Sequence, residues 1–168
     1  MKSNTVIFTE PYKAEIQEID CPKPGKSEVL IRTEQTLIST GTELTFLTGE
    51  CPEKSKWSEY IHYPQKSGYS NVGIIEEVGE GVSKDLIGKR VASFSGHSQY
   101  VIVNVNELRM INYEIKPEEA TFFALAETTI NGIRRTGIEL GNRVVVYGAG
   151  IVGQLAARFL LAGGCTEI

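Results

Sequence analysis

Residues 144–147, Val-Val-Val-Tyr, run straight into Gly148-Ala149-Gly150-Ile151-Val152-Gly153. Ile151, Val152, Leu155, Ala156 and Phe159 then recur at helical spacing as far as Gly163-Gly164. A strand, a G-x-G-x-x-G turn and a helix in that order constrain the fold more than any other feature, because each glycine has its own task. The first lets the chain turn sharply, the second lets a pyrophosphate approach the backbone, and the third lets helix and strand pack closely. The helix N-terminus adds free N–H groups and dipole charge for the phosphates. The pattern predicts the opening of a dinucleotide-binding fold, with Gly148, Gly150, Ile151, Val152 and Gly153 as cofactor-binding residues. Without a nucleotide the same segment is a structural strand-turn-helix. The acidic residue that holds the ribose would close the next strand, and Glu167 comes too early for it, so NAD and NADP stay open. Of 168 residues, few follow the turn. The expectation is the first β-α unit of an incomplete Rossmann fold, binding no cofactor by itself.

The preceding residues have a different rhythm. Short apolar or alternating runs at 5–8, 14–19, 29–38, 73–79, 89–94 and 99–103 are separated by Pro- and Gly-rich turns. That spacing predicts a mainly β architecture, a closed or partly open barrel. After Lys116 the period changes. Pro117, Glu118 and Glu119 suit a helix start, Arg134 and Arg135 suit its negative end, and Gly137 stops it. Phe122, Phe123, Ala126, Ile130 and Ile133 line one face between them. The expected division is 1–137 for the barrel with its linking helix and 138–168 for the β-α unit.

Composition narrows the partners. A net charge of −4 gives no basic footprint for nucleic acid or an anionic membrane. No apolar run approaches the about 20 residues needed to span a bilayer. Cys21, Cys51 and Cys165 form no C-x-x-C pair, which fits unpaired thiols in a reducing compartment. The expectation is a cytoplasmic protein acting on a small molecule.

Several further phrases carry a family likeness. Gly68-Tyr69-Ser70-Asn71-Val72-Gly73, Val78-Gly79-Glu80-Gly81-Val82, Gly88-Lys89-Arg90-Val91 and Leu140-Gly141-Asn142-Arg143-Val144 stand in register with the glycine turn. In that order they resemble the medium-chain dehydrogenase/reductase superfamily over the whole chain. The likeness implies a chaperonin-10-like (GroES-like) catalytic barrel ahead of a nicotinamide-binding domain. The departures are equally specific. Where the family has its first zinc ligand, the chain reads Thr40-Gly41-Thr42-Glu43; its histidine-glutamate pair is replaced by Tyr69-Ser70; its later ligand aligns with Ala124. The cysteine-rich structural lobe is missing, since residues 94–100 pass directly to the next strand. Zinc catalysis needs three protein ligands and an open position, so no zinc is expected. The phrases at 38–43 and 68–73 are similar to the zinc-free, bacteriochlorophyllide-type dehydrogenases.

Hydride transfer without a metal still needs a proton donor or acceptor for the substrate oxygen. The resemblance points to Thr42, aligned with the family's proton-relay hydroxyl, although threonine there also suits the N-cap of a short helix at 43–47. Tyr69 stands where a metal ligand would be, and either donates a hydrogen bond in the cleft or fills the space. His97, one of two histidines, is of the residue type suited to proton transfer, or else caps a strand. Thr128 falls where the family touches the nicotinamide, or bonds back to its own helix. Trp57, Tyr60 and Tyr63 form either a lid or a packed surface cluster. The sequence therefore implies a fragment of a zinc-independent NAD(P)-dependent oxidoreductase acting on alcohols or carbonyls, inactive by itself. A quinone or enone reductase and a non-catalytic binding barrel are the alternatives. The unpaired apolar residues of the β-α unit would favour a homo-oligomer.

Overall fold

The computed structural model describes residues 1–168, which divide into two compact units, Met1–Thr121 and Phe122–Ile168. The first carries two antiparallel sheets. β1 (Lys2–Glu10), β2 (Lys13–Asp20) and the two-residue β4 (Gln65–Lys66) form one, in the order β2-β1-β4. β3 (Glu28–Thr36), β5 (Asn71–Val78), β6 (Arg90–Ser93), β7 (Tyr100–Asn104) and β8 (Arg109–Met110) form the other, in the order β7-β3-β5-β6-β8. This is the mainly β, partly open barrel that the spacing of short strands predicts.

Alternation explains which residues go inside. Val29, Ile31, Ile75, Val91 and Val103 make one buried cluster, with Val82, Leu86 and Leu108 packed around it. In β3 the three successive residues Val29, Leu30 and Ile31 are all buried, so this central strand is covered on both faces. Two register shifts against β5, at Leu30/Ile31 and Thr33/Gln35, bend it. β2 is mostly exposed and keeps a charged edge.

One seam joins the sheets. Val6 donates its N–H to the His97 carbonyl at 2.9 Å, and Gln99 donates to the Asn4 carbonyl at 2.8 Å. On its other side the same segment bonds Ser67 and Thr33: His97 N–H reaches the Ser67 carbonyl at 2.9 Å, and Thr33 N–H reaches the Gln99 carbonyl at 3.0 Å. Residues 97–99 are thus shared between β1, the end of β4 and β3.

Three short helices belong to this unit. α1 (Thr40–Thr48) follows β3, α2 (Trp57–Tyr60) is a single turn, and α3 (Pro117–Ala120) begins with proline at its first position. In the second unit α4 (Phe123–Thr136) packs with α5 (Ile151–Ala162). α4 has Arg134 and Arg135 in its last turn and ends at Gly137 with φ of 68°, as the sequence predicts. The sequence expectation divides the chain after this helix; packing divides it before Phe122. No helix is long and apolar enough to cross a membrane.

Residues 144–147 depart from expectation. They form no strand ladder: a single parallel bridge links Arg143 to Glu167, and Val145 and Tyr147 are 92% and 103% exposed. A strand is a property of a pair, and apolar β-branched residues cannot supply the partner N–H and C=O groups themselves.

The core location gives a direct test. Ile75→Ala, at a fully buried position, should cost about 2 to 5 kcal/mol of unfolding free energy. Ile16→Ala, on the exposed strand β2 at 74% exposure, should stay within about 0.5 kcal/mol of the wild type. Urea titration followed by circular dichroism reads both.

Candidate functional site

The start of α1 organises the most polar corner of the barrel. Ser39 is its N-cap, but the Ser39 side chain makes no capping bond. Glu43 does the work instead: its Oε1 accepts the Ser39 backbone N–H at 2.7 Å, half of a capping box shifted by one position. The carboxylate lies at the positive end of the helix and is almost fully buried. Thr42 therefore lies inside the first turn, and its expected N-cap role falls to Ser39.

The other Glu43 oxygen meets a histidine. His97 Nε2 lies 2.7 Å from Glu43 Oε2, and His97 Nδ1 lies 2.8 Å from Thr36 Oγ1. The side chains of the pair are 10% and 6% exposed. A carboxylate only accepts, so the proton of a neutral imidazole belongs on Nε2, and Nδ1 accepts from the Thr36 hydroxyl. The backbone seam at 97–99 fixes where the ring starts. Gly68 makes room for it: with φ of +84°, a Cβ there would come within 2.7 Å of the imidazole.

This cluster closes the polar end of a cleft of about 400 Å³. Val6, Phe8 and Ala14 from the β1–β2 hairpin form one wall, and Leu44 and Leu47 of α1 form the other. An oriented imidazole, a buried carboxylate and a hydroxyl in an apolar cleft can hold, give or take a proton. They do not fit zinc. The cluster offers one nitrogen and one carboxylate, already bonded to each other, against the three protein ligands a catalytic zinc requires. Nor do three His, Cys, Asp or Glu side chains converge elsewhere.

Two further candidates of the first unit separate from this cleft. Thr42 in α1 and Tyr69 in the β4–β5 loop are half-buried and lie outside its lining. Trp57 packs edge-on against Phe46 at 5.6 Å, and Tyr63 donates to the Phe46 carbonyl at 2.6 Å. Burial pushes the Tyr63 phenol above its ordinary pKa. These aromatics brace the end of α1, as a packed cluster does. In the second unit Thr128 Oγ1 donates to the Ala124 carbonyl at 3.1 Å, the back-bond of a helix threonine. All three cysteines are free, and burial raises the Cys21 thiol pKa.

The glycine turn has the geometry its spacing implies. Gly148 has φ of +105°, and a Cβ at Gly153 would meet the Gly148 carbonyl oxygen at 1.9 Å. A Cβ at Gly150 would meet nothing within 4 Å. The turn is therefore tight inside and open outside, ahead of the unbonded first-turn N–H groups of α5. That arrangement fits a dinucleotide pyrophosphate.

Glu43 and Thr36 are the residues that sequence reasoning missed. Glu43 carried one local signal, an acidic side chain four residues after Ser39 at the start of an otherwise uncharged helix. Thr36 carried none. Gly68→Ala tests the geometry, because the added methyl must displace the imidazole from Glu43. The His97 ring resonances should shift in proton–nitrogen NMR while the folded amide spectrum persists elsewhere; unchanged ring resonances would contradict the packing.

No family model matches the chain. An alcohol dehydrogenase of Geobacillus stearothermophilus is 28% identical over 193 residues, covering 96% of this chain and 55% of that protein. Among solved structures, a short chain alcohol dehydrogenase of E. coli CFT073 complexed with NADH aligns with a TM-score of 0.81 at 21% identity, over 95% of this chain and 53% of that one. A quinone oxidoreductase of Pseudomonas syringae pv. Tomato DC3000 aligns with a TM-score of 0.78 at 21% identity, over 99% and 52%. The chain spans about half the length of the relatives it matches. In sequence and in fold the chain is thus similar to the first half of alcohol dehydrogenases, in keeping with its resemblance to the medium-chain dehydrogenase/reductase superfamily.

Proposed function

We propose that the protein carrying this chain is a cytoplasmic, zinc-independent, NAD(P)-dependent oxidoreductase that interconverts an alcohol and a carbonyl compound. The observation that carries this reading is the 2.7 Å contact between His97 Nε2 and Glu43 Oε2 at the polar end of an apolar cleft. A nicotinamide, when bound, supplies or accepts the hydride. Residues 148–153 would hold its pyrophosphate, a reading supported by the open space at Gly150 and the close packing of Gly153 on the Gly148 carbonyl.

The chain's own residues then handle the proton. His97 stores it during alcohol oxidation and returns it during carbonyl reduction. Glu43 holds the ring in one orientation and balances the charge of the imidazolium, and Ser39 N–H holds Glu43. The burial of the pair strengthens each of these contacts. The reading without zinc is supported by the donor set, since no three His, Cys, Asp or Glu side chains converge to give the three protein ligands of a catalytic zinc. The three free cysteines agree with a reducing compartment. A quinone or enone reductase would make less use of this oriented acid–base pair.

The test is turnover of the intact protein with NADH and NADPH against a panel of ketones and aldehydes. His97→Asn should lower kcat on the order of 100-fold, the lower end of general acid–base catalysis. Glu43→Gln should lower it by a smaller factor. Full kcat in His97→Asn would contradict the assignment.

A further inference from the structure

We propose that the first unit carries a second binding site, separate from the His97 cleft, for a small carboxylate with an apolar tail. It is a pocket of about 450 Å³ between the end of β2 and β7, a volume within the range of small-molecule sites. Every residue that lines it belongs to Met1–Thr121. Ile19, Pro22, Val101 and Ile102 give it apolar walls, and Lys66, Ser95 and Ser98 stand among its polar ones.

The hydrogen-bond balance of the polar groups selects the charge of the ligand. Both acidic side chains of the lining are already engaged. Asp20 Oδ1 lies 2.9 Å from Lys2 Nζ, and Glu28 Oε2 accepts the Gly25 N–H at 2.8 Å. The buried Ser3 hydroxyl is spent as well: it donates to the Tyr100 carbonyl at 3.1 Å and accepts the Tyr100 N–H at 2.9 Å. The other donors are not. Ser95 Oγ accepts from the Ser93 hydroxyl at 3.1 Å, which leaves its own proton to give. The Lys66 ammonium pairs with no carboxylate, and the Ser98 hydroxyl has no hydrogen-bond partner. Three uncommitted donors, one of them a cation, suit an anion that offers several lone pairs at one end. A carboxylate does so with two oxygens and a single charge, and its tail then lies along the apolar walls.

The seam that carries His97 divides this pocket from the cleft. Gly96 and Ser98 line the pocket, whereas His97 between them lines the cleft. Along β1 the same alternation puts Ser3 in the pocket and Val6 and Phe8 in the cleft. Each cavity therefore has its own reporter side chains.

Methyl NMR of the protein titrated with sodium hexanoate, and with hexanamide as its uncharged counterpart, tests the site. Hexanoate should move the Ile19 and Ile102 methyl resonances and leave those of Leu44 and Leu47, in the cleft, where they are. Hexanamide should bind at least about tenfold more weakly, as expected when a charge-assisted hydrogen bond is lost. Lys66→Met should weaken hexanoate by a similar factor, and Lys66→Arg should stay within about threefold of wild type. Lys66 is exposed, so both substitutions leave the core intact. No saturable shift at millimolar hexanoate, equal affinity for hexanamide, unchanged affinity in Lys66→Met, or shifts confined to Leu44 and Leu47 would each overturn the proposal. None of these readings involves turnover, so failure here leaves the oxidoreductase reading standing.

Discussion

Residues 97–99 are held by backbone hydrogen bonds from three directions, and the site exists because of it. Val6 and Asn4 grip the segment from β1, Ser67 from the end of β4, and Thr33 from β3. Without those bonds the two sheets lose their seam, and the His97 ring loses the origin from which it reaches Glu43. The same few bonds therefore stabilise the barrel and aim the imidazole. Gly68 completes the arrangement by leaving out the one carbon that would collide with the ring.

The polar cluster illustrates how a buried charge is made tolerable. Glu43 sits at the start of α1, where a helix presents unbonded N–H groups and favours a negative side chain. One oxygen takes the Ser39 N–H and the other takes His97, so both are satisfied inside the barrel. A carboxylate left without such partners would be costly to bury. The helix start, the histidine and the strand-end hydroxyl of Thr36 thus depend on one another.

Much of the fold is legible from local pattern. The strands at 14–19 and 29–38 announce themselves by alternation and β-branched residues, α3 by Pro117, and α4 by the paired arginines and Gly137. What stays hidden is decided by distant partners. Gln65-Lys66 and Arg109-Met110 have no strand pattern and pair only because β1 and β6 offer free edges. Residues 144–147 have the strongest strand pattern of the second unit, yet form no ladder, for want of a paired neighbour. The site divides in the same way. His97 is visible as a scarce residue type beside a strand, but Glu43 and Thr36 reach it across 54 and 61 residues of sequence. No local periodicity encodes such contacts, and motif alignment points instead to Thr42 and Tyr69, which lie off the cleft.

The central claim is that proton transfer in this barrel runs through side chains alone. Metal content and turnover measured together on the same preparation address it most directly. The account predicts a protein that carries no stoichiometric zinc, keeps its carbonyl-reducing activity after dialysis against a strong chelator, and gains nothing from added zinc. Stoichiometric zinc whose removal abolishes activity, and whose return restores it, would contradict the account.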